Sequence, residues 1–240
     1  MTANRRSFLM QSAAIASAPM ILASNAQVGL SQVTEGRQVR DEDKAEVSPA
    51  EDLMREHGVL NRVLIIYEEG IRRLRAKEEV PPEIFQNAAK LVRTFVEDYH
   101  EKLEEKHLFS KFIARKRLVD LVQTLTTQHQ VGRKLTDEIL ANSTPDHFTK
   151  KTGRSKLISS IEAFIRMYRA HEAREDTVLF PALSTVFSVK DLKDLGEQFE
   201  QKEEELFGEE GFLKTVDQVA AIEKQLKVDD LDSFTPPDFK

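Results

Sequence analysis

Three stretches of this chain carry inward-type residues at alternating intervals of four and three. That spacing admits little besides long α-helices packed along a single seam. The first stretch places Leu53, His57, Leu60, Leu64, Tyr67, Ile71 and Leu74 on this rule. Another places Leu118, Val122, Leu125, His129, Gly132, Thr136 and Ile139, and a later one Leu157, Ile161, Phe164, Tyr168, His171, Glu175, Val178 and Ala182. Between them, after Val80-Pro81-Pro82, Ala88, Val92, Val96, His100, Leu103 and His107 share one face, flanked by Phe95 and Tyr99. With only 9 Gly and 8 Pro in 240 residues, few positions interrupt such helices.

Local signals set the boundaries. Ser48 is placed to cap a first helix with Pro49 at its first turn. The second should end near Ile113, the third run from about Lys116 to Leu140, and the fourth from about Arg154 to Phe187. Asn142-Ser143-Thr144-Pro145-Asp146 reads as the third loop, and Pro181 should bend the last turn of the fourth helix. Two further helical stretches, at about 189–206 and 212–227, are separated by Gly208 and Gly211 and should pack outside. The expected fold is all-α: an up-down four-helix bundle over 48–187 with two additional C-terminal helices in an extension over 188–240.

Ahead of the bundle, the first acidic residue is Glu35, and Asn4-Arg5-Arg6-Ser7-Phe8-Leu9 leads a mildly apolar stretch to Ala23. This resembles a twin-arginine export signal. Cleavage after Ala26 removes residues 1–26 and leaves 33 basic against 41 acidic residues, a net charge of −8. Residues 27–47, polar and poor in aromatics, read as a disordered linker. The expected location is the periplasm, reached through the twin-arginine export machinery, which carries proteins already folded. The acidic balance argues against nucleic-acid binding, and no run of 18 apolar residues is present to span a membrane in the mature protein.

The absence of cysteine excludes thiolate metal sites and cysteine nucleophiles, so any metal must be held by His, Asp or Glu. Each long helix places a histidine on its seam: His57, His100, His129 and His171. Two are followed one turn later by Glu104 and Glu175, which puts imidazole and carboxylate on the same helix face. The segments beginning at His100 and His171 align without gaps at an offset of 71, and His57 and His129 repeat it at 72. Four imidazoles and two carboxylates overfill one zinc. They suit two first-row metals bridged by the carboxylates and capped by two imidazoles each, with coordination positions left open for a small oxidant. Iron fits this donor set best, at two non-haem ions per chain, and manganese is second.

This His and His-x-x-x-Glu arrangement, repeated, resembles the hemerythrin-like family with its HHE cation-binding motif. Leu108-Phe109 and Leu179-Phe180-Pro181 are similar to the Leu-Phe-Pro tail that follows the ligand Glu in that family. The resemblance spans about 53–187. It implies a di-iron site with Glu104 and Glu175 bridging and the four histidines terminal. The chain departs from the invertebrate oxygen carriers where they have a second histidine on the third helix, since Arg133 follows His129 here. It departs again where they have Asp at i+5 on the fourth helix, which here carries Glu175 at i+4.

Other residues invite weaker readings. His107, one turn past Glu104, is a candidate fifth imidazole, although its repeat partner Val178 argues for a core or supporting role. Glu101 and Glu172 should face solvent more readily than the site. Tyr67, Tyr99 and Tyr168 read as core tyrosines or hydrogen-bond donors to the site. Gly132 leaves room for a ligand path or for close helix packing, and His147 has no role. The leading function is binding of dioxygen or a related small oxidant for transport, storage or sensing. The alternative is a di-iron oxidoreductase acting on peroxide or nitric oxide, or an oxidase, and a helical interaction module with incidental metal ranks third. No redox partner is legible.

Overall fold

A computed structural model describes residues 47–239. The expected export signal over 1–26 and nearly all of the linker lie outside the described residues. Helix α1 spans Pro49–Ala76, and the Ser48 hydroxyl accepts a hydrogen bond from the Glu51 amide at 3.2 Å, with Pro49 opening the first turn. Helix α2 runs without a break over 82–114. It begins as Pro82–Leu91 and ends as Ser110–Ala114, with π-helical Val92–His100 and Glu104–Phe109 in between.

Lys116 and Leu118 adopt left-handed backbone in the turn that follows, so α3 starts at Val119 rather than near Lys116 and runs Val119–Asn142. The loop after it contains one short helix, α4, Pro145–Phe148. Helix α5, Lys151–Arg174, continues into a π turn over Glu175–Leu179 and a 3-10 segment over Phe180–Thr185, where Pro181 ends the regular ladder. Helix α3 packs on α5, α5 on α1, α1 on α2 and α2 on α3, which closes an up-down four-helix bundle.

Two more helices cover one side of it. Helix α6, Val189–Phe207, opens on a reciprocal capping box between Ser188 and Asp191, with both bonds at 3.1 Å. Gly208 takes φ +73° after it, and α7 spans Gly211–Leu226. Helix α7 lies against α1 and α2, where Arg62 of α1 pairs with Glu223 and Arg55 stacks over Phe212 at 4.8 Å. Phe95 and Tyr99 of α2 meet Phe207 and Phe212 in an aromatic cluster with centroids 5.4–6.5 Å apart. No helix among the described residues is long and apolar enough to cross a membrane.

The π turns change which residues face inward. Ala88, Val92, Val96, His100, Glu104, Leu108 and Phe112 are all buried, and they stand exactly four apart, six steps in succession. On a regular α-helix each four-residue step drifts about 40° off the face. The i→i+5 bonding unwinds the helix enough to keep this row pointing inward. In α5 the same device carries the seam from His171 to Glu175, Leu179 and Leu183, all buried. Val178 and Ala182, which the four-three rule assigns to the core, are half-exposed.

Candidate metal centre

His57 (α1), His100 and Glu104 (α2), His129 (α3), and His171 and Glu175 (α5) all project into the bundle interior, each at most 3% exposed. Their ligand atoms form two overlapping groups. His57, His100 and Glu104 make one, and Glu104, His129, His171 and Glu175 the other, with atoms within 4.8 Å of one another in each. The Nε2 atoms of His57 and His100 are 3.1 Å apart, and those of His129 and His171 are also 3.1 Å apart. Each carboxylate sits between imidazoles from both halves of the bundle. Glu104 Oε2 is 3.5 Å from His100 Nε2 and 3.6 Å from His129 Nε2, while Glu175 Oε2 is 3.0 Å from His171 Nε2 and 3.4 Å from His57 Nε2.

The outward nitrogens are also held. His57 Nδ1 meets Asp176 at 2.8 Å, His100 Nδ1 meets Glu56 at 2.7 Å, His129 Nδ1 meets Glu105 at 3.2 Å and His171 Nδ1 meets Gln128 Oε1 at 3.0 Å. With Nδ1–H donating outward, the Nε2 lone pairs converge on the centre, as metal-ligating histidines require. Phe180 stacks on His57 and Phe109 on His129, at 5.5 and 5.3 Å with 21° between planes in both. The Leu-Phe tails thus brace a histidine of another helix.

Two observations test whether this cluster fits a metal. None of the four carboxylate oxygens of Glu104 and Glu175 has a hydrogen-bond partner among the described residues, although all are buried. Such groups are costly without a counter-charge. Burial, with the neighbouring Glu175 charge, pushes the Glu104 carboxyl well up, whereas for Glu175 burial is outweighed by His171 and His57, which hold it low. Burial lowers His100, and lowers His129 to about 4; for His57 it is overcome by Asp176 and Glu175, which raise that imidazole. A cationic charge is what the inward-facing atoms lack, and imidazole with carboxylate suits first-row divalent metals.

A second tier of buried acids surrounds the six. Glu101 and Glu172 are buried, not solvent-facing, because each finds a donor from the helix opposite. Glu101 accepts from Tyr168 Oη at 2.7 Å and Arg133 at 2.7 Å, and Glu172 accepts from Asn61 at 2.6 Å. Burial pushes Glu101 up to about 8 and Glu172 to about 7. Arg133, standing where the oxygen carriers have an imidazole, reaches Glu105 as well at 2.6 Å. Tyr99 donates to Glu56 at 3.2 Å, while the Tyr67 hydroxyl is buried with no hydrogen-bond partner among the described residues. Gly132 is explained by Tyr168: a Cβ there would lie 2.0 Å from Tyr168 Oη.

His107 does not join the cluster. The π turn over Glu104–Phe109 hands its seam position to Leu108, and the His107 ring turns half-exposed to Phe199 of α6 at 5.8 Å. His147 lies in the α3–α5 connection, bonded to Ala141 O at 2.8 Å. Sequence reasoning missed Glu56, Gln128, Glu105 and Asp176. Each adjoins a seam residue, and the repeat marks them, since 56 and 128 stand 72 apart and 105 and 176 stand 71 apart.

Fold and donor set together define a metal-binding all-α bundle. The chain belongs to the hemerythrin HHE cation-binding domain family, whose model matches residues 48–183 and again 120–227. It is 48% identical over 195 residues to uncharacterized proteins of Mycobacterium bovis and of two Mycobacterium tuberculosis strains, covering 81% of this chain and 76% of each relative. No solved structure matches.

Proposed function

We propose that the protein holds a non-haem di-iron centre and binds dioxygen or a related small oxidant in the cell envelope. His57, His100, Glu104, His129, His171 and Glu175 would hold the metals, with the carboxylates shared. The observation that carries this reading is the pair of buried carboxylates with no hydrogen-bond partner among the described residues, each flanked by imidazole nitrogens from both halves of the bundle. When bound, two irons would supply reversible electron transfer to a small oxidant. The protein orients the imidazoles through Nδ1, packs the Phe109 and Phe180 rings flat against two of them, and keeps proton-holding carboxyls nearby.

The test is metal analysis of the purified chain, with an optical spectrum of the reduced form before and after oxygen. Two irons per chain and new near-ultraviolet charge-transfer bands are expected. One zinc per chain, refractory to anaerobic iron loading, would overturn the reading. Turnover is the second reading, favoured by Glu101 and Glu172, whose carboxyls are pushed towards neutral pH one residue from His100 and His171. Peroxide consumption with an added reductant would place it first. Export follows from Arg5 and Arg6 and is tested by the location and N-terminus of the mature chain.

A further inference from the structure

The pseudo-twofold repeat makes an internal comparison possible. Offsets of 71 and 72 carry His57 onto His129, His100 onto His171, Glu104 onto Glu175, Asp176 onto Glu105, and Glu56 onto Gln128. The Nε2 atoms stand 3.1 Å apart in both histidine pairs, while the inward carboxylate one turn on is closer in the second, Glu175 lying 3.0 Å from His171 and Glu104 3.5 Å from His100. The outer partners differ. In the first pair both Nδ1 atoms meet carboxylates, Asp176 at 2.8 Å and Glu56 at 2.7 Å. In the second pair one partner is the neutral carboxamide of Gln128 at 3.0 Å. The other, Glu105 at 3.2 Å, is shared with Lys102 and Arg133. Asp176 meets no lysine or arginine among the described residues.

A carboxylate accepting from Nδ1–H pushes electron density onto Nε2 and makes it a stronger donor to a metal, and a neutral amide does so far less. Glu56 is also fixed in place, being 3% exposed and receiving the Tyr99 hydroxyl at 3.2 Å on its other oxygen. Gln128 is half-exposed and makes no second side-chain hydrogen bond among the described residues. Charge and distance of the outer partners favour the first half, as does the anchoring of Glu56 over Gln128.

We propose that the two metal positions are inequivalent: the His57–His100 position is tight and fills first, Glu56 is the positioning residue that makes it so, and Gln128 leaves the His129–His171 position weaker and exchangeable. This rests on the dinuclear reading above. The experiment is anaerobic titration of the metal-free full-length chain with cobalt(II), followed by its visible bands and by calorimetry. Wild type should take two equivalents in two steps, the first at least about tenfold tighter, given that outer partners are worth roughly 10–100-fold in metal affinity. Glu56→Gln should weaken the first step by about that factor and merge the two. Gln128→Glu should tighten the second, which keeps the proposal testable even where the Glu56 variant folds poorly. His100→Ala should abolish the tight step and His171→Ala the weak one. Two equivalents taken up in a single step of equal affinity, or no change beyond twofold in both Glu56→Gln and Gln128→Glu, would overturn the ordering while leaving the dinuclear reading intact. Fewer than two equivalents in wild type would overturn the dinuclear reading and the ordering with it.

Discussion

At the scale of single residues, the centre depends on groups that touch no ligand position directly. Phe109 and Phe180 lie flat against His129 and His57, so each holds an imidazole plane. Phe180→Leu keeps most of the volume and should cost less than about 1.5 kcal/mol of stability. Metal affinity should still fall about tenfold, as it does when an orienting partner is lost; a chelator-competition titration measures it, and unchanged affinity would show the stack to be mere packing. Gly132 is the converse case, an empty volume with a purpose. Gly132→Ala would press on Tyr168 Oη and strip Glu101 of one donor. We expect a loss of about 1–3 kcal/mol in urea denaturation, despite alanine's better helix propensity. On the proposed dinuclear reading, metal analysis of Glu104→Ala and of Glu175→Ala should show both metals lost, since each carboxylate faces both histidine pairs, whereas His147→Ala should lose neither.

At the scale of elements, the π turns decide what was legible beforehand. The four helices, their order and the gathering of His57, His100, His129 and His171 followed from three-four spacing, because α1, α3 and most of α5 are regular helices. That rule failed past Glu175 and past Glu104, where π turns insert a residue and pass the inward position from Val178 to Leu179 and from His107 to Leu108. The signal was present as an unbroken run of four-residue steps from Ala88 to Phe112, a spacing that a regular α-helix cannot keep on one face. Glu101 and Glu172 were misjudged for a different reason: their burial depends on Tyr168, Arg133 and Asn61 from facing helices, which no single helix reveals. The shifted register makes a direct prediction. Leu179→Ala should cost about 2–5 kcal/mol, the range for a fully buried leucine, and Val178→Ala under about 1 kcal/mol. Denaturation curves giving the reverse order would restore the regular heptad.

At the scale of the whole molecule, the bundle sets protonation against metal. In the metal-free chain burial raises Glu101 to about 8 and Glu172 to about 7, and His57 is raised despite burial by Asp176 and Glu175. In the unfolded chain these carboxyls titrate near about 4.3 and histidine near about 6.5. Above about pH 6.5 the native state therefore binds more protons than the unfolded one, and the stability this confers is lost as pH climbs through 7 and 8. His100 and His129, shifted down, act only below that window. We expect the metal-free chain to lose roughly 2–4 kcal/mol between pH 6.5 and 8.5. Metal affinity should rise over the same interval, because metal displaces protons from its ligands. Denaturation with and without cobalt(II) checks both, and parallel pH profiles would contradict them. If Arg5 and Arg6 direct export as proposed, Arg5→Lys with Arg6→Lys should leave loaded protein in the cytoplasm, read by fractionation. The placement of Glu104 and Glu175 between imidazoles of both hairpins has one more consequence. The first hairpin supplies His57, His100 and Glu104, but Glu175, which stands between the two histidine pairs, comes from the other, so the two positions together are complete only when the halves have closed on each other. Full occupancy would then be the molecule's own certificate of correct assembly.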